Sequence, residues 1–252
     1  MIPPGGPVLA PGSVASGGQA VNPDQRTSIV ARGGGGLYVG YCGGYPTCTK
    51  ALVWRVGTGA ATVGGTGARV DDVHLAAGPN GRIWVTWNDG SKLYVRRSNK
   101  AVTKFGPVVR VNPPGGTRAI WKLTGEGSIG LLDLFASVST PGSLATWQTQ
   151  VRPPLRLTAV KTKTKVTFTV TDAGDPVAGA KVKFGSKTLT TKSNGKVTTA
   201  KPVKKTVATA NRPNIRFMPS PLSGHVAFRD VRRPALPAPG GASEQHSSTR
   251  SQ

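Results

Sequence analysis

A chain of 252 residues, 37% of them hydrophobic, holds one or two domains, and 34 glycines with 21 prolines favour many turns over long helices. A formal charge of +23 attracts polyanions, and no apolar run reaches the roughly eighteen residues that a spanning helix needs. The excess is uneven: residues 151–252 carry 19 Lys and Arg against 4 Asp and Glu, and residues 1–150 carry 14 against 6.

Residues 1–26 are rich in Pro, Gly, Ala and Ser without periodicity and read as a disordered segment. The first twenty residues lack the basic start and unbroken apolar core of a signal peptide. Order is expected from Thr27, with apolar runs over Ser28–Arg32, Leu37–Tyr41 and Ala51–Val56. Between the last two lie Cys42 and Cys48 in GYCGGYPTCTK, where Gly43, Gly44 and Pro46 make a tight loop easy to close. A local disulfide there implies an oxidising, extracytoplasmic setting. The alternatives are two free thiols or half a metal site, although no nearby His or Cys completes a tetrahedral shell. Neither a metal nor a cofactor is expected.

Asn80–Val111 reads as a meander. Arg82–Trp87 (RIWVTW) is a β-branched and aromatic run with Ile83, Val85 and Trp87 on one face and Trp84 on the other. Asn88-Asp89-Gly90 tolerates positive φ and turns the chain into Lys92–Arg97, and Pro107–Val111 adds a third run. The pattern recurs: GGGLYVGY aligns with PNGRIWVTW, matching Tyr38 with Trp84, Val39 with Val85 and Tyr41 with Trp87, at an offset of about 46 residues. A weaker third copy runs from Trp121 to Val151, in which Gly130–Ser137 reads as a buried strand or a short helix. About three blade-like units follow, fewer than the four to eight that usually close a propeller.

Ser98–Pro107 (SNKAVTKFGP) carries a resemblance. Its length, Ser98 and Phe105 resemble the Asp-box of sialidase-like propellers, S-x-D-x-G-x-T-[WF], while Lys100, Val102 and Lys104 depart from it. The resemblance implies an incomplete sialidase-like propeller over residues 27–152, and the Asp-box itself is a folding element. Its catalytic apparatus would be three arginines on a carboxylate, a Tyr–Glu nucleophile pair and an Asp acid/base. The chain lacks the F-R-I-P motif, has Glu126 and Glu244 as its only glutamates, and places Asp71 and Asp72 side by side, where a strand points them to opposite faces. No catalytic residue is expected.

Arg152-Pro153-Pro154 marks a boundary. Beyond it Leu155–Val160, Lys165–Thr171, Ala180–Phe184, Lys187–Thr191, Lys196–Ala200 and Thr206–Ala210 alternate like short strands, predicting an antiparallel β-sandwich over residues 155–213. PVAGAKV (Pro176–Val182) and TTKSNGKV (Thr190–Val197) resemble the signature of bacterial Ig-like and carboxypeptidase-regulatory-like modules, which implies a stalk or spacer. Residues 214–252 read as a disordered tail. The expected whole is all-β: an incomplete β-propeller, a β-sandwich and disordered termini.

For binding, Tyr38, Tyr41, Trp84 and Trp87 could stack on sugar rings if exposed, or fill the core at equivalent blade positions. His74, His225 and His246 are scattered, and the glycine run 33–36 lacks the following helix that a phosphate cradle needs. The basic residues read as solvated strand faces or as a surface for anionic polymers. The expected function is a non-catalytic extracellular or cell-surface binding and spacing protein for glycans or anionic polymers, with no membrane span. The alternatives are a fragment of a sialidase-like glycoside hydrolase and nonspecific, charge-driven nucleic-acid binding.

Overall fold

The computed structural model describes residues 27–44, 47–58, 60–200, 208–211 and 217–219. Its regular structure is β throughout, apart from one 3-10 turn at Pro79–Gly81. The first sheet contains β1 (Ser28–Ala31), β2 (Leu37–Gly43), β3 (Lys50–Arg55) and β4 (Ala61–Thr66), paired antiparallel in that order. The second repeats the arrangement with β5 (Asp71–Ala77), β6 (Ile83–Asn88), β7 (Leu93–Arg97) and β8 (Val109–Val111). The third has β9 (Ala119–Glu126), β10 (Leu132–Thr140) and β11 (Ser143–Val151), and no sheet closes on itself. The ambiguous run Gly130–Ser137 is therefore strand, most of it lying in β10.

The β6–β7 hairpin shows why these residues turn where they do. Gly90 takes φ +89°, the Asn88 side-chain oxygen accepts the Gly90 N–H at 2.7 Å, and Asp89 Oδ1 accepts the Ser91 and Lys92 N–H groups at 2.9 and 2.8 Å. These side chains hold the backbone groups that the turn leaves outside the ladder. The resulting register sends Ile83, Val85 and Trp87 into a core shared with Tyr38, Val53 and Leu75, and Trp84 into a second core with Leu93, Leu132 and Leu134. The second sheet is thus packed on both faces, between the first and the third.

Equivalent residues point the same way in successive sheets. Tyr38 and Trp84 each face the sheet that follows, and Tyr41 and Trp87 each face the opposite side. Close packing depends on small residues where rings cross, and a side chain at Gly65 would overlap the Trp87 ring. The first strands are also stitched together by side chains. Ser28 Oγ on β1 accepts the Leu75 N–H at 2.9 Å and lies 3.3 Å from His74 Nδ1 on β5, and His74 Nε2 accepts the Gly125 N–H on β9 at 3.0 Å.

Cys42 and Cys48 form a disulfide with their Cα atoms 5.5 Å apart. The Ser98–Phe105 segment closes as a tight loop: Ser98 pairs with Phe105, and the Asn99 side-chain oxygen accepts the Thr103 and Lys104 N–H groups. Asn99 supplies the turn chemistry at a segment where Lys100 and Lys104 could not.

Past Pro153-Pro154 come β12 (Leu155–Lys161), β13 (Lys165–Asp172), β14 (Asp175–Pro176), β15 (Lys181–Phe184), β16 (Lys187–Thr190), β17 (Lys196–Ala200), β18 (Ala208–Asn211) and β19 (Phe217–Pro219). β13 pairs with β12 on one side and with β14 and β17 on the other, while β15 sits between β16 and β18. The two sheets enclose one core in which Leu155, Val166, Phe168 and Val170 meet Ala180 and Val182. Phe168 and Phe184 pack edge to face at 4.9 Å. Residues 1–26 and most of 214–252 lie outside the described residues. Within that expected tail, however, Phe217–Pro219 is strand, paired parallel to Leu155–Leu157 because the free edge of β12 offers unpaired backbone groups.

The two halves of the chain meet at buried charges. Asp172, 4% exposed, contacts Arg97 directly and lies 3.7 Å from Arg82, whose Nη2 is 2.7 Å from Asp175. Asp175 Oδ2 also accepts the Lys100 N–H at 2.8 Å.

Candidate functional site

The structure places all four of the aromatic residues singled out for stacking inside the protein. Tyr38 is 4% exposed, Tyr41 5%, Trp84 0% and Trp87 1%. A ring stacks on a sugar through a free face, and rings buried this deeply present none. β6 is covered on both sides, Tyr38 packs in the core between the first two sheets and Tyr41 packs with Val39 and Trp54 of its own sheet, so all four are buried residues.

Among the described residues, the aromatic side chains that do face solvent are Trp121 and Phe135, at 40% and 38% exposure. Strand alternation explains Phe135: Leu132, Leu134, Ala136 and Val138 of β10 point into the core, leaving Asp133, Phe135, Ser137 and Ser139 outward. Phe135 stands opposite Thr124 and Gln148, and Ser137 opposite Trp121 and Thr146. The two rings are therefore diagonal neighbours on a face that also carries the hydroxyl and amide side chains of Thr124, Ser137, Thr146 and Gln148, the Asp133 carboxylate and the exposed Leu144.

Trp121 reaches that face through a β-bulge. The register slips between Phe135 and Ser137, and Lys122 adopts φ +50°. The extra residue lets Ile120 and Leu123 both point inward while Trp121 and Thr124 point outward, which strict alternation forbids. The backbone N–H of Lys122 donates to Asp72 Oδ2 of β5, where Asp72 is itself in a bulge at φ +49°. Asp72 thus fixes the bulge that aims Trp121. Its neighbour Asp71 is engaged elsewhere, paired with Arg69 at 2.5 Å. The two carboxylates have different partners, and the bulge at Asp72 takes it out of the strict strand alternation expected from the sequence.

His74 ties the same strand. Because a backbone N–H can only donate, the 3.0 Å contact from Gly125 requires a lone pair on Nε2, so the ring is neutral with its proton on Nδ1, directed to Ser28 Oγ. The Gly125 carbonyl lies 3.5 Å from the same Nε2, too far to be the principal partner. Burial pushes the His74 pKa below its ordinary value of 6.5, against smaller opposing effects of that carbonyl and of the Asp72 charge. The unfolded chain then binds the proton more readily than the folded one. Stability should be at its plateau above pH 6.5 and fall as the pH drops through the lower folded value, and His74→Gln should flatten this loss. Thermal melts of both proteins between about pH 8 and pH 4.5 provide the check.

A second candidate is a shallow open cleft of about 350 Å³ between the end of β4 and the β6–β7 turn, lined by Thr66, Arg69, Asp89, Ser91 and Tyr94. It contains a tyrosine–carboxylate pair, with the Tyr94 hydroxyl donating to Asp89 Oδ2 at 2.7 Å. Partial desolvation raises the Asp89 pKa, but hydrogen bonds from Tyr94, Ser91 and Lys92 outweigh it and bring the carboxyl down to about 2. The hydrogen bond to Asp89, then burial, pushes the Tyr94 pKa up. A carboxylate this acidic is a weak base. The pair stabilises its own hairpin. Among the described residues, no three His, Cys, Asp or Glu side chains come together to hold a metal, and no helix is long and apolar enough to cross a membrane.

Neither protein-family models nor curated proteins give a match to the chain.

Proposed function

We propose that the protein is a non-catalytic binding and spacing protein of the extracellular space or cell surface, and that it binds glycans through the outer face of β9–β10–β11. The observation that carries this reading is the exposed pair Trp121 and Phe135, set among Thr124, Ser137, Thr146 and Gln148. Aromatic faces cover the apolar face of a sugar ring, and the surrounding hydroxyls and amides can meet its hydroxyl groups. The Cys42–Cys48 disulfide is compatible with an oxidising compartment.

In this reading the three stacked sheets are about three blades of an incomplete, sialidase-like propeller over residues 27–152. The two C-terminal sheets are an Ig-like sandwich over residues 155–213 that serves as the spacer. The common orientation of Tyr38 and Trp84, and of Tyr41 and Trp87, supports the blade repeat. The outer face of the third sheet corresponds to the faces that carry Tyr38 and Trp84, and it presents Trp121, Phe135 and Leu144 among polar side chains.

The test is binding of the purified chain to a panel of neutral glycans at low and high salt, with Trp121→Ala in parallel. Binding is expected to survive high salt and to weaken about tenfold or more in the variant, roughly 1.4 kcal/mol. Equal binding by the variant, or complete loss of binding in salt, would sink the reading.

A further inference from the structure

From 151 to 200 the chain has ten Lys and Arg against two Asp, and the two Asp are Asp172 and Asp175. Both are engaged at the junction by Arg82 and Arg97 of the preceding half. The C-terminal sheets therefore turn their negative charges inward, and the charges on the strand faces that look outward are basic alone.

The lysines among them stand in a definite pattern. On the β12–β13–β17 sheet, Lys196 lies beside Thr169, which lies beside Thr158, and Thr198 lies beside Thr167, with their hydroxyl oxygens 2.9 Å apart. Lys165 closes the other end of the row, opposite Ala200, so the two ammonium groups are rooted about 14 Å apart, with the Thr167, Thr169 and Thr198 hydroxyls between them and the exposed Val160 beside Thr167. The β15–β16 sheet repeats the alternation: Lys181 Nζ donates to Thr190 Oγ1 at 2.8 Å, and Lys183 stands opposite Thr188. Phe168 and Phe184 are absent from these faces, since they pack against each other in the core.

From this pattern we propose that the C-terminal sheets bind a polyol phosphate polymer, independently of the Trp121 face. Its chain alternates a single negative charge with hydroxyl-bearing carbons. Lysine neutralises the phosphate, and the threonine hydroxyls between lysines hydrogen-bond to phosphate oxygens and polyol hydroxyls alike. A densely sulfated polysaccharide would set some of its charges against threonines, which offer no counter-ion. A single-stranded nucleic acid would not reach Phe168 or Phe184 to stack its bases, and such stacking ordinarily supplies much of its binding.

The experiment uses the full chain and three probes at matched charge: poly(glycerol phosphate), heparin and oligothymidylate. Poly(glycerol phosphate) should bind tightest, and its affinity should fall at least tenfold in the double variant Lys165→Glu, Lys196→Glu. Lys165→Gln with Lys196→Gln keeps the strands polar and should make the salt dependence shallower, by about 0.7 in the log–log slope for each phosphate no longer neutralised. Thr169→Val should weaken binding about threefold without changing that slope, and Trp121→Ala should leave binding unchanged. Tighter or equal binding of heparin or oligothymidylate, wild-type affinity in both lysine double variants, or no effect of Thr169→Val would overturn the proposal.

Discussion

Replacing Asp172 by alanine is expected to lower the unfolding free energy by about 3–5 kcal/mol, because it strips a carboxylate from between two buried guanidiniums. Arg82 is 6% exposed and Arg97 5%, so neither gains water in exchange. Asp172 touches Arg97 and lies 3.7 Å from Arg82, and in its absence Asp175, 2.7 Å from Arg82, is the remaining acid at the junction. Removing one partner of a buried cluster costs far more than the cluster contributes over an apolar filling, since the surviving charges keep their desolvation penalty. Asp172→Asn, which retains the shape and one acceptor oxygen, should lose less. Urea denaturation followed by far-ultraviolet circular dichroism, which reports the strands of both halves, gives the measurement, because all five tryptophans lie before residue 150. A lower midpoint at unchanged slope means that the whole molecule has been weakened. A split transition means that the junction couples the two halves, and a spacer that holds its partner at a fixed angle requires such coupling. A loss below about 1 kcal/mol would show that the cluster is solvated and that the halves are loosely joined.

What could be read from the chain follows from the range of each interaction. The β6–β7 hairpin was legible because period-two alternation and the Asn88-Asp89-Gly90 turn are local, and the assignment of Ile83, Val85 and Trp87 to one face and Trp84 to the other agrees with the cores they occupy. The Cys42–Cys48 bridge was legible for the same reason. Alternation says which residues share a face but not whether that face is covered, so the aromatics of β2 and β6 could not be told from a platform. One signal was present: Ile83, Trp84 and Val85 are three apolar residues in succession, which puts apolar side chains on both faces, as in strands buried on both sides. Trp121 was hidden by its bulge, since Lys122 has no glycine to announce a positive φ. The junction had no local signature at all, for Arg97 and Asp172 are 75 residues apart and each alone reads as a surface charge.

Trp84→Ala is expected to cost about 3–5 kcal/mol as well, and Trp84→Phe far less. The indole is fully buried between the second and third sheets, in one cluster with Leu93, Leu132 and Leu134. Its surroundings have little freedom to collapse: Gly127 packs so tightly that a methyl group there would overlap the ring, and the Arg97 guanidinium sits 5.1 Å from the ring centre. Truncation therefore leaves a cavity and removes a cation–π partner from a buried arginine. Phenylalanine keeps most of the ring and discards an N–H that has no hydrogen-bond partner among the described residues, so the apolar area it gives up is partly offset by the lost desolvation of that group. Both variants can be ranked by thermal melts, and Trp84→Phe has a second use in glycan binding. It should bind the panel as the wild type does, because Trp84 is behind the face that Trp121 presents. If Trp84→Phe were as stable as the wild type yet unable to bind, the recognition surface would have to lie where β6 meets the third sheet, and the outer face of β9–β10–β11 would be only the end of the stack.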